Sequence, residues 1–409
     1  MKKEKPLNLR VKGNIRDLLA FKNLLTKRKK IIEHASRIPV QTDNMKSLTE
    51  SLHPIKQNLI IREVVELTKS SKLFKFNPDG NSGTKALAFF RAGQYLTFKV
   101  DVNGFSITRP YSISSSPSDA LKGFYEIAIR KEEHGFLTSY IWDHWDVGTK
   151  VETSGPEGFF YFNPLRDSKN ILGIAGGSGI TPFRSIAKSI LDGTEEANLT
   201  LLYGSAEEDD IMFHDELKRI EKVVPTKFKM IPILSCEEVT LAGCEQGFIT
   251  ADIMKKYSDL NDCSFFICGP QVMYDFIDKE INKLNIPLKR IRKEAYGEVK
   301  NVPSSPGFPN EMMDKLFKLE IRMGNLVKEI PAKATESVLV AMERAGLCPP
   351  SKCRSGECGY CRSKLIAGSI YVNPIKDKRR MADVEFNYFH PCSSYPITNL
   401  VIDVPRSIQ

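Results

Sequence analysis

No stretch of this 409-residue chain approaches the roughly 18 consecutive apolar residues of a membrane-crossing helix. The opening residues, MKKEKPLNLRVKGNIRDLL, lack an uninterrupted apolar core and a small-residue cleavage site, so no secretory leader is read there. Internal repeats are absent. Beyond residue 46 there is no net charge. Residues 1–46 hold 13 Lys/Arg against 4 Asp/Glu, which equals the +9 of the whole chain. A neutral body argues against a nucleic-acid-binding core and leaves docking, including contact with a membrane surface, to the basic head. Nine cysteines, at 236, 244, 263, 268, 348, 353, 358, 361 and 392, are odd in number and unevenly spaced, which fits no disulfide framework. A cytoplasmic setting is expected, where clustered cysteines point to metal or catalysis.

The length implies two or three domains. Residues 14–32, NIRDLLAFKNLLTKRKKII, read as a helix, either packed on the body or anchoring it to a partner or membrane, with disorder as the remaining alternative. From about residue 56, short alternating segments such as NLIIREVVELT, YLTFKVDV, FYEIAIRK and TKVETSGP predict a small antiparallel β-barrel over 56–165. Strand and helix patterns then alternate from NILGIAGG to VMYDFIDKEINKL, predicting an α/β doubly wound parallel sheet over 166–300. Residues 301–314 contain the Pro/Ser/Gly-rich NVPSSPGFPNE and read as a linker. The last domain, 315–409, begins with a hairpin and a helix.

Cys353, Cys358 and Cys361 form C-x4-C-x2-C, and Cys392 follows after 30 intervening residues. That is the spacing of a plant-type [2Fe–2S] cluster. A zinc ribbon would need two C-x2-C knuckles, and only CGYC is present. Cys348 offers a shifted register, but the frame 353/358/361 is the one that encloses Gly356 and Gly359.

CRSGECGYC…PC resembles the ferredoxin domain fused to reductases of the ferredoxin–NADP reductase superfamily, which implies a β-grasp (α+β) fold here and a flavin and a nicotinamide domain upstream. RPYSISSS resembles the family's flavin motif. The resemblance implies that Arg109 takes a pyrophosphate, Tyr111 stacks on the flavin ring beside Pro110, and Ser112 hydrogen-bonds near the flavin N5. The segment AIRKEEHGFLTSYI resembles the one closing on the flavin diphosphate, with Arg130, Gly135, Thr138 and Ser139 as contacts and Thr138 opening the next helix. Gly93–Tyr95 and the turn Gly155–Phe160 match the family too, and FAD is expected rather than FMN.

In NILGIAGGSGITPFRSIA, Gly176, Gly177 and Gly179 form a loop able to approach a pyrophosphate. Thr181 is the expected N-cap and Pro182 the first helical residue. Cys268, Gly269, Pro270 and Met273 match the segment beside the nicotinamide ring. Cys268 would position it, and Glu294 and Tyr296 lie in EAYG at the domain's end. Glu207, Glu208, Asp209 and Asp210 stand where a 2′-phosphate would be read, so NADH is expected over NADPH.

Together these features predict an NADH-dependent reductase passing electrons through FAD and a [2Fe–2S] cluster to a separate, unidentified redox protein such as an oxygenase or a hybrid-cluster enzyme. A diaphorase for small acceptors and a permanent electron-transfer subunit or redox sensor are the alternatives. The electron-transfer subunit of dihydroorotate dehydrogenase shares the domain order, but its last cysteine gap is much shorter. Residues 1–55 fall outside the resemblance.

Overall fold

The computed structural model describes residues 15–36, 43–133, 135–235, 241–294, 297–299 and 301–406. The chain divides into two compact units, Met1–Glu50 and Ser51–Gln409. The first contains helix α1 (Ile15–Glu33), and helix α2 (Asn44–Leu52) ends just past its boundary. In α1, Phe21, Leu24 and Ile32 are exposed, and α2 buries no residue. None of the described helices is long and apolar enough to cross a membrane.

The second unit opens with an antiparallel sheet of β1 (Lys56–Thr68), β2 (Ser71–Pro78), β3 (Tyr95–Val102), β4 (Phe105–Ser112), β5 (Tyr125–Arg130) and β6 (Lys150–Ser154), with helices α3 (Pro117–Leu121) and α4 (Phe136–His144). Its order is β4-β3-β6-β1-β2-β5. Immediately after β4, Ser114 N–H donates to Glu126 O on β5 at 2.8 Å, drawing the two edges together. The sheet is thus curled, with β4 and β5 as its two edges. Alternation puts Leu59, Ile61, Phe74, Phe76 and Phe98 inside, around Trp145. Strand β2 lies outside the expected strands: SKLFKFNP carries two lysines among its apolar residues, and Phe74 and Phe76 are buried.

Next come β7 (Asn170–Gly176), α5 (Thr181–Leu191), β8 (Asn198–Ser205), α6 (His214–Val223), β9 (Phe228–Leu234), β10 (Glu245–Gln246), α7 (Ala251–Tyr257), β11 (Ser264–Cys268), α8 (Gln271–Asn282) and β12 (Ile291–Glu294). The strands are parallel in the order β10-β9-β8-β7-β11-β12. The order reverses at β7, so a crevice opens between the carboxyl ends of β7 and β11, where doubly wound sheets bind ligands.

The C-terminal part holds β13 (Leu316–Met323), β14 (Leu326–Lys333), α9 (Val338–Arg344), β15 (Ser363–Ala367), β16 (Ile370–Val372), α10 (Met381–Glu385), β17 (Tyr388–Phe389), β18 (Ser394–Pro396) and β19 (Leu400–Asp403). A mixed sheet β14-β13-β19-β15-β17 packs on α9, as in a β-grasp fold. The stretch 301–314 is packed against this part. Val302 and Phe308 are buried with Ala334, Tyr371 and Tyr395, and the Tyr371 hydroxyl donates to Pro306 O at 2.9 Å.

Helix α5 joins the first two domains. Arg184, 4 % exposed, donates to Glu126 of β5 at 2.7 Å and to Glu216 of α6 at 2.8 Å. Ser185 donates to Ser115 O at 2.6 Å, and Ser116 to Asp192 at 2.7 Å. Removing the cation alone would leave Glu216 without its cation and Glu126 with only the longer contact to Lys188 at 3.7 Å. Arg184→Leu should therefore destabilise the protein by about 3–5 kcal/mol, read as a lowered midpoint in urea unfolding. An unchanged midpoint would show that the joint does not depend on it.

Candidate functional site

The nicotinamide residues converge at the sheet crevice. Gly179 sits so close to the Cys268 carbonyl that a Cβ there would overlap it. A Cβ on Gly176 would lie 2.5 Å from Met273 Sδ and 3.1 Å from Pro270 Cδ, and one on Gly269 would also strike Met273. Gly176, Gly179, Cys268, Gly269, Pro270 and Met273 thus form one continuous lining. Thr181 differs from expectation. It is the first residue of α5, not its N-cap, and its hydroxyl donates to Ser178 O at 3.0 Å. The reason is the 3-10 turn Gly177–Ile180, which already winds the chain before the helix begins. Ser205 Oγ, at the carboxyl end of β8, is buried with no hydrogen-bond partner among the described residues. An unsatisfied hydroxyl beside a glycine loop fits a nucleotide.

Parallel register sets Cys268 beside Glu294. Burial, then the Glu294 carboxylate, push the Cys268 thiol well above its ordinary range, so it stays protonated at neutral pH. That suits a positioning group and not a nucleophile. Tyr296 lies outside the described residues.

Strand pairing puts Tyr95 opposite Ser112 and Leu96 opposite Tyr111, which brings GQY to the flavin motif. Pro110 and Ser112 are buried. Tyr111 packs edge-on to Phe98 at 5.8 Å. Tyr95 also bridges to Glu157, so the turn Gly155–Phe160 joins the same place. Gly135 is the N-cap of α4, with no side chain capping that end. An uncapped helix N-terminus of this kind fits a phosphate. Thr138 does not open the helix. It lies three residues in, accepting from Glu132 N–H at 3.2 Å and donating to Gly135 O at 3.3 Å, while Ser139 N–H also bonds Gly135 O.

Two arginines have partners that sequence alone did not reveal. Arg130 pairs with Asp210 at 2.5 Å, and its Nη1 would lie 3.1 Å from a Cβ on Gly177. It therefore reaches the nicotinamide loop from the barrel. Asp209 pairs with Lys69 at 3.7 Å, so two of the four acids in 207–210 face cations. Arg109 donates to the Thr108 carbonyl at 2.8 Å. Burial, then the neighbouring Arg354, lower the hold of Arg109 on its proton.

The four cysteines draw together, with Cys353 in reach of both Cys358 and Cys392. Cys361 Sγ and Cys392 Sγ are 3.4 Å apart, and Cys358 N–H donates to Cys353 Sγ at 3.4 Å. Tyr360 N–H donates to Cys358 Sγ at 3.4 Å. Among the described residues no group of three or more His, Cys, Asp or Glu is set to hold a single ion. Four converging cysteines with amides aimed at two of their sulfurs fit an iron–sulfur cluster. Gly356 has φ +83°, and a Cβ would lie 2.5 Å from Ser393 Oγ, so the loop can close only with glycine there. His390 Nδ1 lies 2.7 Å from Gly356 O and fastens the loop from behind.

Sequence reasoning also missed the side chains around this loop. Arg354, 1 % exposed and at φ 58°, pairs with Glu343 at 2.6 Å and Glu298 at 2.5 Å. Lys352 pairs with Glu157. The arginine stood in plain view in CRSGEC, but nothing in the sequence named its partners.

Fold, crevice and cysteine loop define a three-part flavoprotein oxidoreductase. Residues 58–162 match the oxidoreductase FAD-binding domain, 174–279 the oxidoreductase NAD-binding domain and 325–396 the 2Fe-2S iron-sulfur cluster binding domain. The chain is 26% identical over 350 residues to the ferredoxin reductase component of 3-ketosteroid-9-alpha-monooxygenase from Rhodococcus rhodochrous, covering 83% of this chain and 94% of that one. It is 24% identical over 361 residues to the glycine betaine monooxygenase reductase of Chromohalobacter salexigens, covering 85% and 95%. With NADH-cytochrome b5 reductase 1 from Candida glabrata it shares 31% over 228 residues, covering 55% and 78%. In structure it resembles phthalate dioxygenase reductase, with TM-score 0.61, 21% identity and coverage of 86% and 98%. The chain belongs to the ferredoxin–NADP reductase superfamily and carries FAD- and NAD-binding domains with a C-terminal [2Fe–2S] ferredoxin domain.

Cys358→Ser should abolish the visible spectrum of the cluster while NADH still bleaches the flavin. The parent protein should carry about two irons and two labile sulfides per chain. One zinc and no sulfide would overturn the assignment.

Proposed function

We propose that this protein is the NADH-dependent reductase component of a multi-protein oxygenase system, delivering electrons to a separate metalloenzyme. The observation that carries the reading is the Lys352–Glu157 pair, which joins the cysteine loop to the turn closing the flavin domain. The bound groups supply hydride acceptance and the splitting of an electron pair into single electrons. The protein supplies place and orientation. Gly176, Gly177 and Gly179 give the coenzyme diphosphate a close approach, and Arg130, expected at the flavin diphosphate, stands next to Gly177 of this loop. Cys268, Pro270 and Met273 hold the nicotinamide face. Ser112 and Tyr111 flank the flavin, and the Gly135 end of α4 meets its diphosphate. Cys353, Cys358, Cys361 and Cys392 hold the irons. Named relatives that serve monooxygenases support a protein partner over a small acceptor.

The test is steady-state oxidation of NADH by the purified protein. Ferricyanide should be reduced rapidly and quinones and ferric chelates slowly, while dioxygen consumption should rise only when an oxygenase component is added. Rapid turnover of quinones or ferric chelates by the protein alone would make it a diaphorase instead.

Glu207 and Glu208 stand beside the expected ribose position, and the acids that follow are paired with cations. NADH should exceed NADPH in kcat/KM by about tenfold or more. Equal use of both would show that this run does not face the ribose.

A further inference from the structure

Residues 351–354 surround the first cluster cysteine, and three of them reach out of their own domain. The Ser351 hydroxyl meets that of Thr108, the residue before the flavin motif. Lys352 crosses the Tyr360 ring, 4.1 Å from its centroid, to pair with Glu157. Arg354 pairs with Glu298, from the stretch leaving the nicotinamide domain, and its Nη1 is 3.4 Å from Thr108 O.

We propose that Ser351–Arg354 is a latch that holds Cys353 at a fixed distance from the flavin strand, with Glu157 and Glu298 as positioning residues for electron transfer from flavin to cluster. This rests on the electron path proposed above.

Arg354 does not need Glu298 for neutrality, since Glu343 of its own domain already gives it two bonds, at 2.6 and 2.9 Å. A second carboxylate from outside the domain is tolerated in a buried place only while the interface stays closed. The Lys352 ammonium likewise finds its carboxylate partner across the interface. The connecting stretch cannot take up a displacement freely, because Val302 and Phe308 are buried in the ferredoxin part. Electron transfer weakens steeply with distance, so a loosened latch slows that step and leaves hydride transfer alone.

The experiment uses the full-length protein loaded with flavin and cluster, as parent, Glu298→Gln and Lys352→Gln. Two readouts are taken: anaerobic stopped-flow absorbance after mixing with NADH, and backbone hydrogen exchange without NADH. Both variants should bleach the flavin at the parent's rate but reduce the cluster roughly tenfold or more slowly. Exchange protection should fall together in 105–112 and 351–354, with the cluster spectrum intact. The swap Lys352→Glu with Glu157→Lys should recover exchange protection that Lys352→Glu alone has lost. Cluster reduction at the parent's rate in Glu298→Gln would overturn the proposal, as would unchanged protection in both single variants. Glu298 lies 56 residues from Arg354 in sequence, so this variant decides the matter even if Lys352→Gln disturbs the cluster. Should NADH fail to bleach the parent's flavin, the proposed electron path falls, while the exchange readout still judges the latch.

Discussion

A charge buried in protein must be paired where it sits, and two arginines carry that constraint for the body of this chain. Arg184 is 4 % exposed and Arg354 1 %. Each binds two carboxylates, and in each case the two come from different parts of the structure: Glu126 and Glu216 for Arg184, Glu298 and Glu343 for Arg354. Burial works against the charge of Arg354, and Glu298 and Glu343 outweigh it, so the guanidinium is held above its ordinary range. Such groups add little net stability compared with apolar packing, but losing the shared arginine takes the main counter-charge from both of its carboxylates. Their effect is to select one arrangement of the domains.

That selection matters because the crevice is assembled from pieces that belong to no single domain. The switch in strand order at β7 opens it, and Gly179 against the Cys268 carbonyl sets its floor. From the barrel come Tyr95, Ser112 and the Gly158 turn. A Cβ on Gly158 would lie 2.9 Å from the Tyr95 ring and 3.9 Å from Glu294 Oε1, so barrel turn and sheet end are in reach of one another. The cysteine loop enters at the same turn through Lys352. Burial pushes Glu157 above the usual carboxylate range, and the facing Lys352 opposes this. Hydride transfer and electron transfer both need orientation more than new chemistry from the protein, and orientation is what these contacts provide.

The parts legible in the sequence are those written in local pattern. The cysteine spacing, the glycine loop, the flavin motif and the β/α alternation each occupy a short run, and each leads to the element the structure contains. Partners far apart in sequence were not legible. Arg354 and Glu298 are 56 residues apart, Lys352 and Glu157 195, and Thr108 and Ser351 243. No periodicity marks such pairs, because an exposed glutamate and a bridging one look alike in a sequence. Thr181 shows a subtler failure. Thr-Pro is a sound signal for a helix start, yet the 3-10 turn before it moved the boundary by one residue. The Pro-, Ser- and Gly-rich stretch at 301–314 has a packing partner that its composition does not reveal. Turn-forming residues bend that chain, while Val302 and Phe308 bury themselves in the ferredoxin part.

The distribution of charge follows the same division of labour. Inside the body, cations and carboxylates are matched closely enough that residues past 46 sum to zero. Matched charge fixes internal geometry and exerts little pull on distant molecules, since screening at physiological salt limits attraction to roughly 8 Å. The unmatched +9 lies in residues 1–46, in a segment that contributes none of the motif residues for flavin, nicotinamide or iron. Helix α1 displays part of that charge beside exposed Phe21, Leu24 and Ile32. Steps within the molecule are governed by paired charge and packing. Any long-range electrostatic steering of an encounter partner must come from charge that is left unpaired, and this chain keeps its net excess in a segment that holds none of the redox motifs.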